Sequence, residues 1–239
     1  MRNFVLLLAI VLAFSSCRML GGQKVNGNGK ITAQERKVSA FNSVEASGSL
    51  KVHIRQDAVS SVKIETDENL MEYVEIFTSG STLIIKEKEG YNLKPSKELV
   101  VFTAAPVYTT VDVSGSGDII SDNIISGGQP LEMGVSGSGM INVQVALPKV
   151  SADVSGSGDV ILKGTSKEFS GSISGSGSIK AFDLTTDISY LKLSGAADAE
   201  VTVNQKLDVN VSGSGDVKYR GNAAVSQSIS GSGSVKKVG

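Results

Sequence analysis

From residue 111 to the end of the chain, apolar and polar positions alternate around a recurring Ser-Gly step. The steps begin at Ser114, Ser136, Ser155, Ser174, Ser194, Ser212 and Ser230, and the residue just before each is Val113, Val135, Val154, Ile173, Leu193, Val211 or Ile229. Five residues after each step start stand Ile119, Ile141, Val160, Ile179, Ala199, Val217 and Val235. Apolar residues therefore keep one parity, while Ser, Ser and often Asp keep the other. A period of two is that of a half-buried strand, not of a helix. The steps recur at intervals of 22, 19, 19, 20, 18 and 18 residues, about the circumference of one coil of a parallel β-helix. Successive coils stack ~4.8 Å apart, so seven of them predict a rod of roughly 34 Å. The expected fold is all-β, a parallel β-helix (solenoid) with coils of about 18–22 residues. Val and Ile form its interior ladder and Ser stacks on Ser outside. Strand-like pieces between the steps, such as 142–145 and 200–203, are joined by turn residues at Gly127-Gly128, Pro148 and Gly221-Asn222. An antiparallel sandwich is the rival, but it has no reason to hold identical residues at one phase.

The two glycines of each Ser-Gly-Ser-Gly step share the apolar parity. They let the strand bend, since glycine tolerates positive φ, or they leave inward room for bulky neighbours. Both readings are open. An earlier relative, Ser47-Gly48-Ser49, stands apart from the series. Residues 38–110 are less regular, with alternation at Val44, Leu50, Val52 and Ile54, then Val62 and Ile64, Leu83 and Ile85, and Leu99 and Val101. One stretch, 67–74, has a helical pattern: Asp67 is placed to cap it, with Leu70, Tyr73 and Val74 on one face.

The first residues follow a different logic. Arg2 precedes an apolar run from Phe4 to Phe14, too short for the ~20 residues of a membrane span but suited to a secretory signal. The run ends Phe14-Ser15-Ser16-Cys17, which resembles the lipobox of bacterial lipoproteins, with Phe in place of the usual Leu. Cys17 is the only cysteine, so no intrachain disulfide competes for it and it is expected to carry a lipid. The expected organisation is a lipoprotein signal peptide over 1–17, a Gly-rich flexible tether over 18–30, and one β-helical domain over 31–239. That domain divides into a less regular part, 38–110, and the repeat part, 111–239.

Residues 27–56 resemble the opening of the family called putative auto-transporter adhesin, head GIN domain. The shared elements are Gly27-Asn28-Gly29, Glu35-Arg36, Phe41, Val44 and Ser47-Gly48-Ser49, and the later Ser-Gly-Ser-Gly series fits the same family. The resemblance covers roughly 27–239. It implies a right-handed β-helical domain on bacterial, often lipid-anchored, envelope proteins, and it supplies no catalytic residues.

Composition narrows the chemistry. A formal charge of −1 gives no field that would draw the chain to nucleic acid. Aromatics are 5% and Trp is absent, so the core is built from small aliphatics in thin layers. His53 is the only histidine and shares the outward parity of Lys51 and Arg55, so a nitrogen-rich zinc site or a Cys/His site is excluded. The Gly-Ser-Gly copies lack the Lys and following helix of a phosphate-binding loop. Asp follows the step at Asp118, Asp159, Asp198 and Asp216, but Met140, Ser178 and Ser234 interrupt that column, which relieves repulsion without a metal. Asp118 and Asp159 would lie ~10 Å apart, near the spacing of an inverting polysaccharide hydrolase, which is the enzymatic alternative. The reading adopted is a non-enzymatic envelope lipoprotein of the outer membrane, acting as an adhesin or binding module. The alternatives are that enzyme and a purely structural envelope protein. No cofactor or metal is expected. Partners are the membrane, through the anchor, and a glycan or protein ligand. The candidate contact groups are the surface ladder Ser114, Ser116, Asp118, Ser155, Ser157, Asp159, Ser212, Ser214 and Asp216. Whether it faces the periplasm or the cell exterior is open.

Overall fold

The computed structural model of the chain describes residues 22–239. Cys17 and the expected signal peptide lie outside the described residues. Among the described residues, no helix is long and apolar enough to cross a membrane.

Each turn of the chain contributes one strand before its Ser-Gly corner and one after it, so the coils stack into a solenoid of about seven turns with two faces. One face runs through β3 (Ser43–Gly48), β10 (Thr110–Gly115) and β12 (Leu131–Gly137). It continues through the C-terminal halves of β13 (Met140–Gly156), β14 (Asp159–Gly175), β15 (Ser178–Gly195) and β16 (Asp198–Gly213), and ends at β18 (Ala224–Gly231). The other runs through β4 (Lys51–Gln56), β11 (Asp118–Ser126), the N-terminal halves of β13 to β16, β17 (Asp216–Arg220) and β19 (Ser234–Lys237). From β10 onward every pairing is parallel and in phase: Ser114 lies beside Ser136, then Ser155, Ser174, Ser194, Ser212 and Ser230. That pattern excludes the sandwich. The residues before and after the corners, Val113, Val135, Val154 and Ile173 among the first and Ile119, Ile141, Val160 and Ile179 among the second, are buried between the faces. They form the interior ladders that the parity predicts.

The uneven intervals have a physical origin. Where β11 pairs with β13, it advances four residues, from Ile120 to Ile124, while its partner advances two. β15 likewise carries extra residues against both neighbours. The long intervals of 22 and 20 are coils with bulges, which absorb extra residues without breaking the phase of the corner.

Ser47 does not stand apart. It pairs in register with Ser114, as Gly48 does with Gly115, so it is the first rung of the same column. The intervening chain leaves the solenoid to build its N-terminal end. β7 (Thr82–Glu87) stacks parallel on the outer side of β3, and β9 (Val100–Ala105) does so on β4. β5 (Ser61–Asp67) then closes antiparallel on β9, β2 (Ile31–Glu35) on β5, and β6 (Val74–Ser79) on β7. These reversed strands end the parallel ladder at this side, and Leu70 and Met71 plug the core beneath them.

Two expectations in this cap are corrected. The helical stretch is a single 3-10 segment, Glu68–Tyr73, and Asp67 makes no side-chain cap to it. Its carboxylate is committed elsewhere: it accepts hydrogen bonds from Gly29 N (2.7 Å), Ser96 N (2.8 Å) and Ser96 Oγ (2.7 Å). The second concerns the tether. β1 (Gln23–Asn26) pairs parallel with β8 (Tyr91–Lys94), so from Gln23 onward the expected tether is built into the cap.

Tyr108 closes the cap from inside. Its hydroxyl donates to Arg55 O at 3.1 Å and lies 3.3 Å from Thr103 Oγ1, and burial pushes its pKa up to about 12. Tyr108→Phe is expected to cost about 1 kcal/mol at neutral pH in urea unfolding. A folded pKa raised above the ordinary 10 contributes stability that is complete below pH 10 and lost as pH rises towards 12. The variant should therefore show a shallower alkaline decline than the parent.

Candidate functional site

The Ser-Gly corner is one edge of the solenoid, and both readings of its glycines hold, each at a different glycine. The first of each pair bends the chain: Gly156 has φ of 117°, and a Cβ on it would stand 2.5 Å from Gly137 O of the preceding coil. The second leaves room for the preceding coil: a Cβ on Gly139 would stand 2.4 Å from Gly117 O and 2.5 Å from Val113 Cγ1. The tight turn lets the following serine reach back one coil, as Ser157 N donates to Gly137 O and Ser176 N to Gly156 O, each at 2.8 Å. The backbone is thereby satisfied coil to coil, and the serine side chains are left on the outside.

Of the candidate ladder, Ser114, Ser116, Ser155, Ser157, Ser212 and Ser214 are exposed along this edge, and their hydroxyls bond to no other described residue. The column is therefore a row of free donors and acceptors repeated once per coil. The aspartates differ. Asp118, Asp159 and Asp216 occupy one column with Met140, Ser178, Asp198 and Ser234. Asp159 accepts from Ser178 Oγ (2.5 Å) and Lys180 Nζ (3.0 Å), and Asp216 accepts from Ser234 Oγ (2.7 Å). Burial acts to raise the pKa of Asp159, but the bonds from Ser178 and Lys180 overcome it and hold the carboxyl below its ordinary value. Asp216 is lowered chiefly by Ser234. The two serines that interrupt the column, Ser178 and Ser234, are thus the partners of Asp159 and Asp216. A general acid of glycoside cleavage needs the opposite, a raised pKa. Among the described residues, no group of three or more His, Cys, Asp or Glu is arranged to hold a metal.

A second region went unseen in the one-dimensional pattern. Across β5, β9 and β4, Lys63, Phe102 and His53 are successive cross-strand partners, with Phe102 on the outward parity of its strand. The His53 and Phe102 ring centroids are 5.2 Å apart, and Lys63 Nζ lies 4.7 Å from the Phe102 centroid. His53 is outward as expected, but it is not a lone solvated side chain: its Nδ1 lies 2.6 Å from Asp122 Oδ1. Asp122 reaches it because it sits in the bulge of β11. Beside this row opens a groove of about 880 Å³, lined by charged and polar groups from β2, β4, β5 and the loops after β2 and β4, with Val38, Val62, Phe102 and Ala104 among them. The only signal in the sequence was an aromatic residue at an outward position between Val101 and Thr103.

The chain matches, over residues 40–223, the family described as putative auto-transporter adhesin, head GIN domain. The chain belongs to this family. Solved structures repeat its fold. A putative lipid binding protein from Parabacteroides distasonis ATCC 8503 is 26% identical, with a TM-score of 0.76 over 91% of this chain and 100% of that one. A putative adhesin from the same organism is 29% identical, with a TM-score of 0.73 over 90% and 100%. A putative adhesin from Bacteroides fragilis NCTC 9343 has a TM-score of 0.82 over 90% and 100% at 21% identity, a likeness of fold alone. No curated protein matches the chain at a significant level.

What this head GIN domain offers chemically is therefore of two kinds. One is a serine edge, weak at any point but repeated at a fixed spacing. The other is a charged groove at the capped end.

Proposed function

We propose that this head GIN domain protein is a non-enzymatic binding module of the bacterial cell envelope, an adhesin held to the outer membrane by a lipid on Cys17. The observation that carries the reading is the edge of free serine hydroxyls, presented in register from Ser114 to Ser230 on a rigid two-faced scaffold. Ser114, Ser116, Ser155, Ser157, Ser212 and Ser214 are its contact groups, flanked by Asp118, Asp159 and Asp216. A ligand with a repeating structure engages several rungs at once, and avidity then multiplies contacts that are individually weak. The commitment of Asp159 to Ser178 and Lys180, and of Asp216 to Ser234, argues against general-acid chemistry at those two carboxylates. The family description and the adhesin and lipid-binding descriptions of its structural neighbours agree with a binding role.

A glycan and matrix-protein array probed with the full chain in detergent tests the role: reproducible hits are expected, and silence on both would leave only a structural protein. For the anchor, Cys17→Ala is expected to move the protein from the membrane to the soluble fraction and to abolish labelling by a fatty-acid probe. Retention and labelling of the variant would contradict lipidation at Cys17. Protease treatment of intact cells then distinguishes exposure at the surface from a periplasmic orientation.

A further inference from the structure

We propose that the groove beside the cap is the selective site of this protein and that it takes a carboxylate-bearing polysaccharide. The inference rests on the binding-module reading and names the ligand class for it.

The groove's charges are unequally committed. Arg36, Lys37, Arg55 and Lys63 line it, against Glu35, Asp57 and Asp122. Asp122 is held by His53, and Asp57 lies 3.8 Å from Arg55 Nε. Among the described residues no carboxylate lies within ion-pair distance of Arg36, Lys37 or Lys63. Lys63 is steadied by a ring rather than by an anion, since Phe102 lies beneath its ammonium. A cation held this way is placed while its charge stays available to a ligand. Arg36 donates from Nη2 to Met71 O at 2.9 Å and its Nε is buried, so that Nε does not face the groove, and Lys37 and Lys63 are the free cations a ligand meets. The remaining carboxylate, Glu35, faces Lys63 across the β2–β5 pair and, with the hydroxyls of Ser60 and Ser61, suits the hydroxyl groups of a sugar.

Size and lining favour a glycan over other anions. About 880 Å³ falls within the roughly 300–1,000 Å³ of small-ligand sites, enough for a short oligosaccharide segment. A lipid tail needs an apolar channel, whereas the space between the two faces is filled by side chains. Peptide recognition uses a deep apolar anchor pocket or an open strand edge, and this groove lies on the outer surface of paired strands. A polyuronate supplies what is unmatched here: carboxylates for Lys37 and Lys63, and hydroxyls for Glu35, Ser60 and Ser61.

The test is calorimetric titration of the full chain in detergent with oligogalacturonate, with a neutral maltooligosaccharide of equal length, with poly-glutamate and with a short-chain phosphatidylglycerol. Binding to oligogalacturonate alone is expected, weakening as salt is raised. Lys37→Glu/Lys63→Glu should weaken it about tenfold or more, Lys37→Gln/Lys63→Gln by less, and Lys167→Glu, outside the groove, not at all. Thermal melting of each variant confirms folding, and the glutamine pair serves if the charge reversal does not fold. Equal binding of the neutral sugar, preference for the peptide or the phospholipid, or unchanged binding by both double variants overturns the proposal. If oligogalacturonate fails while the chain still binds spots on the array, the groove assignment falls and the binding module stands. If the array is silent too, both fall.

Discussion

Gly156→Ala is expected to lower the stability of the chain by about 3 kcal/mol or more, against about 1 kcal/mol for Gly80→Ala. Both glycines have positive φ, 117° and 61°. They differ in conformation, since 61° is the left-handed helical region and 117° lies beyond it, and in surroundings: nothing lies within 4 Å of a Cβ at Gly80, while at Gly156 it would press on the carbonyl oxygen of Gly137. That oxygen cannot yield without cost, because it accepts the hydrogen bond from Ser157 N that ties one coil to the next. The added methyl meets an unfavourable backbone conformation and a fixed neighbour together. Urea unfolding of the two variants beside the parent measures the difference, and similar losses would show that the contact with Gly137 O adds no cost.

Asp67→Asn is expected to cost about 2–3 kcal/mol at neutral pH and to loosen the cap first. All three of its partners are donors, Gly29 N, Ser96 N and Ser96 Oγ. An amide in this place sets its own donor against one of them and removes the charge that strengthens the others. Burial acts to raise the carboxyl's pKa, and the bonds from Ser96 and Gly29 prevail, so it sits below the ordinary 3.8. A depressed folded pKa means a contribution present above the unfolded value and lost as pH falls through the folded one. The parent should therefore lose stability below pH 3.8 with a slope that the variant lacks. Hydrogen exchange should speed up at Gly29 and Ser96 in the variant before it does in the mid-solenoid strands. Uniform loosening along the whole solenoid would contradict a local role.

The solenoid was legible because its evidence lies within one coil: parity, phase and interval are all short-range in sequence. Bulges blurred the interval but not the phase of the corner, so the columns survived. The cap was not legible, since its strands reverse direction and pair across long separations. Ser47 looked detached because most of the cap, from β5 to β9, is inserted between it and Ser114, although the two are neighbouring rungs. Asp67 stood at the right position for a helix cap, yet its partners, Gly29 and Ser96, are brought to it only by the folding of distant loops. Lys63, Phe102 and His53 form one row only after β5, β9 and β4 have paired, and Asp122 joins them only through a bulge. For the Asp column, the interrupting serines were read as relief of repulsion, and the structure adds that they are the hydrogen-bond partners themselves.

The central claim is that binding along the serine edge is spread over coils equivalent enough to be exchanged. Residues 155–173 form one whole coil, since Ser155 pairs with Ser174, and deleting them joins Val154 to Ser174 in the same phase. The decisive measurement is the array binding of this shortened full chain beside the parent. A folded protein with the same pattern of hits at reduced strength is predicted. Loss of folding would contradict the exchangeable coil, and complete loss of binding in a folded chain would place the activity at one site within the deleted turn.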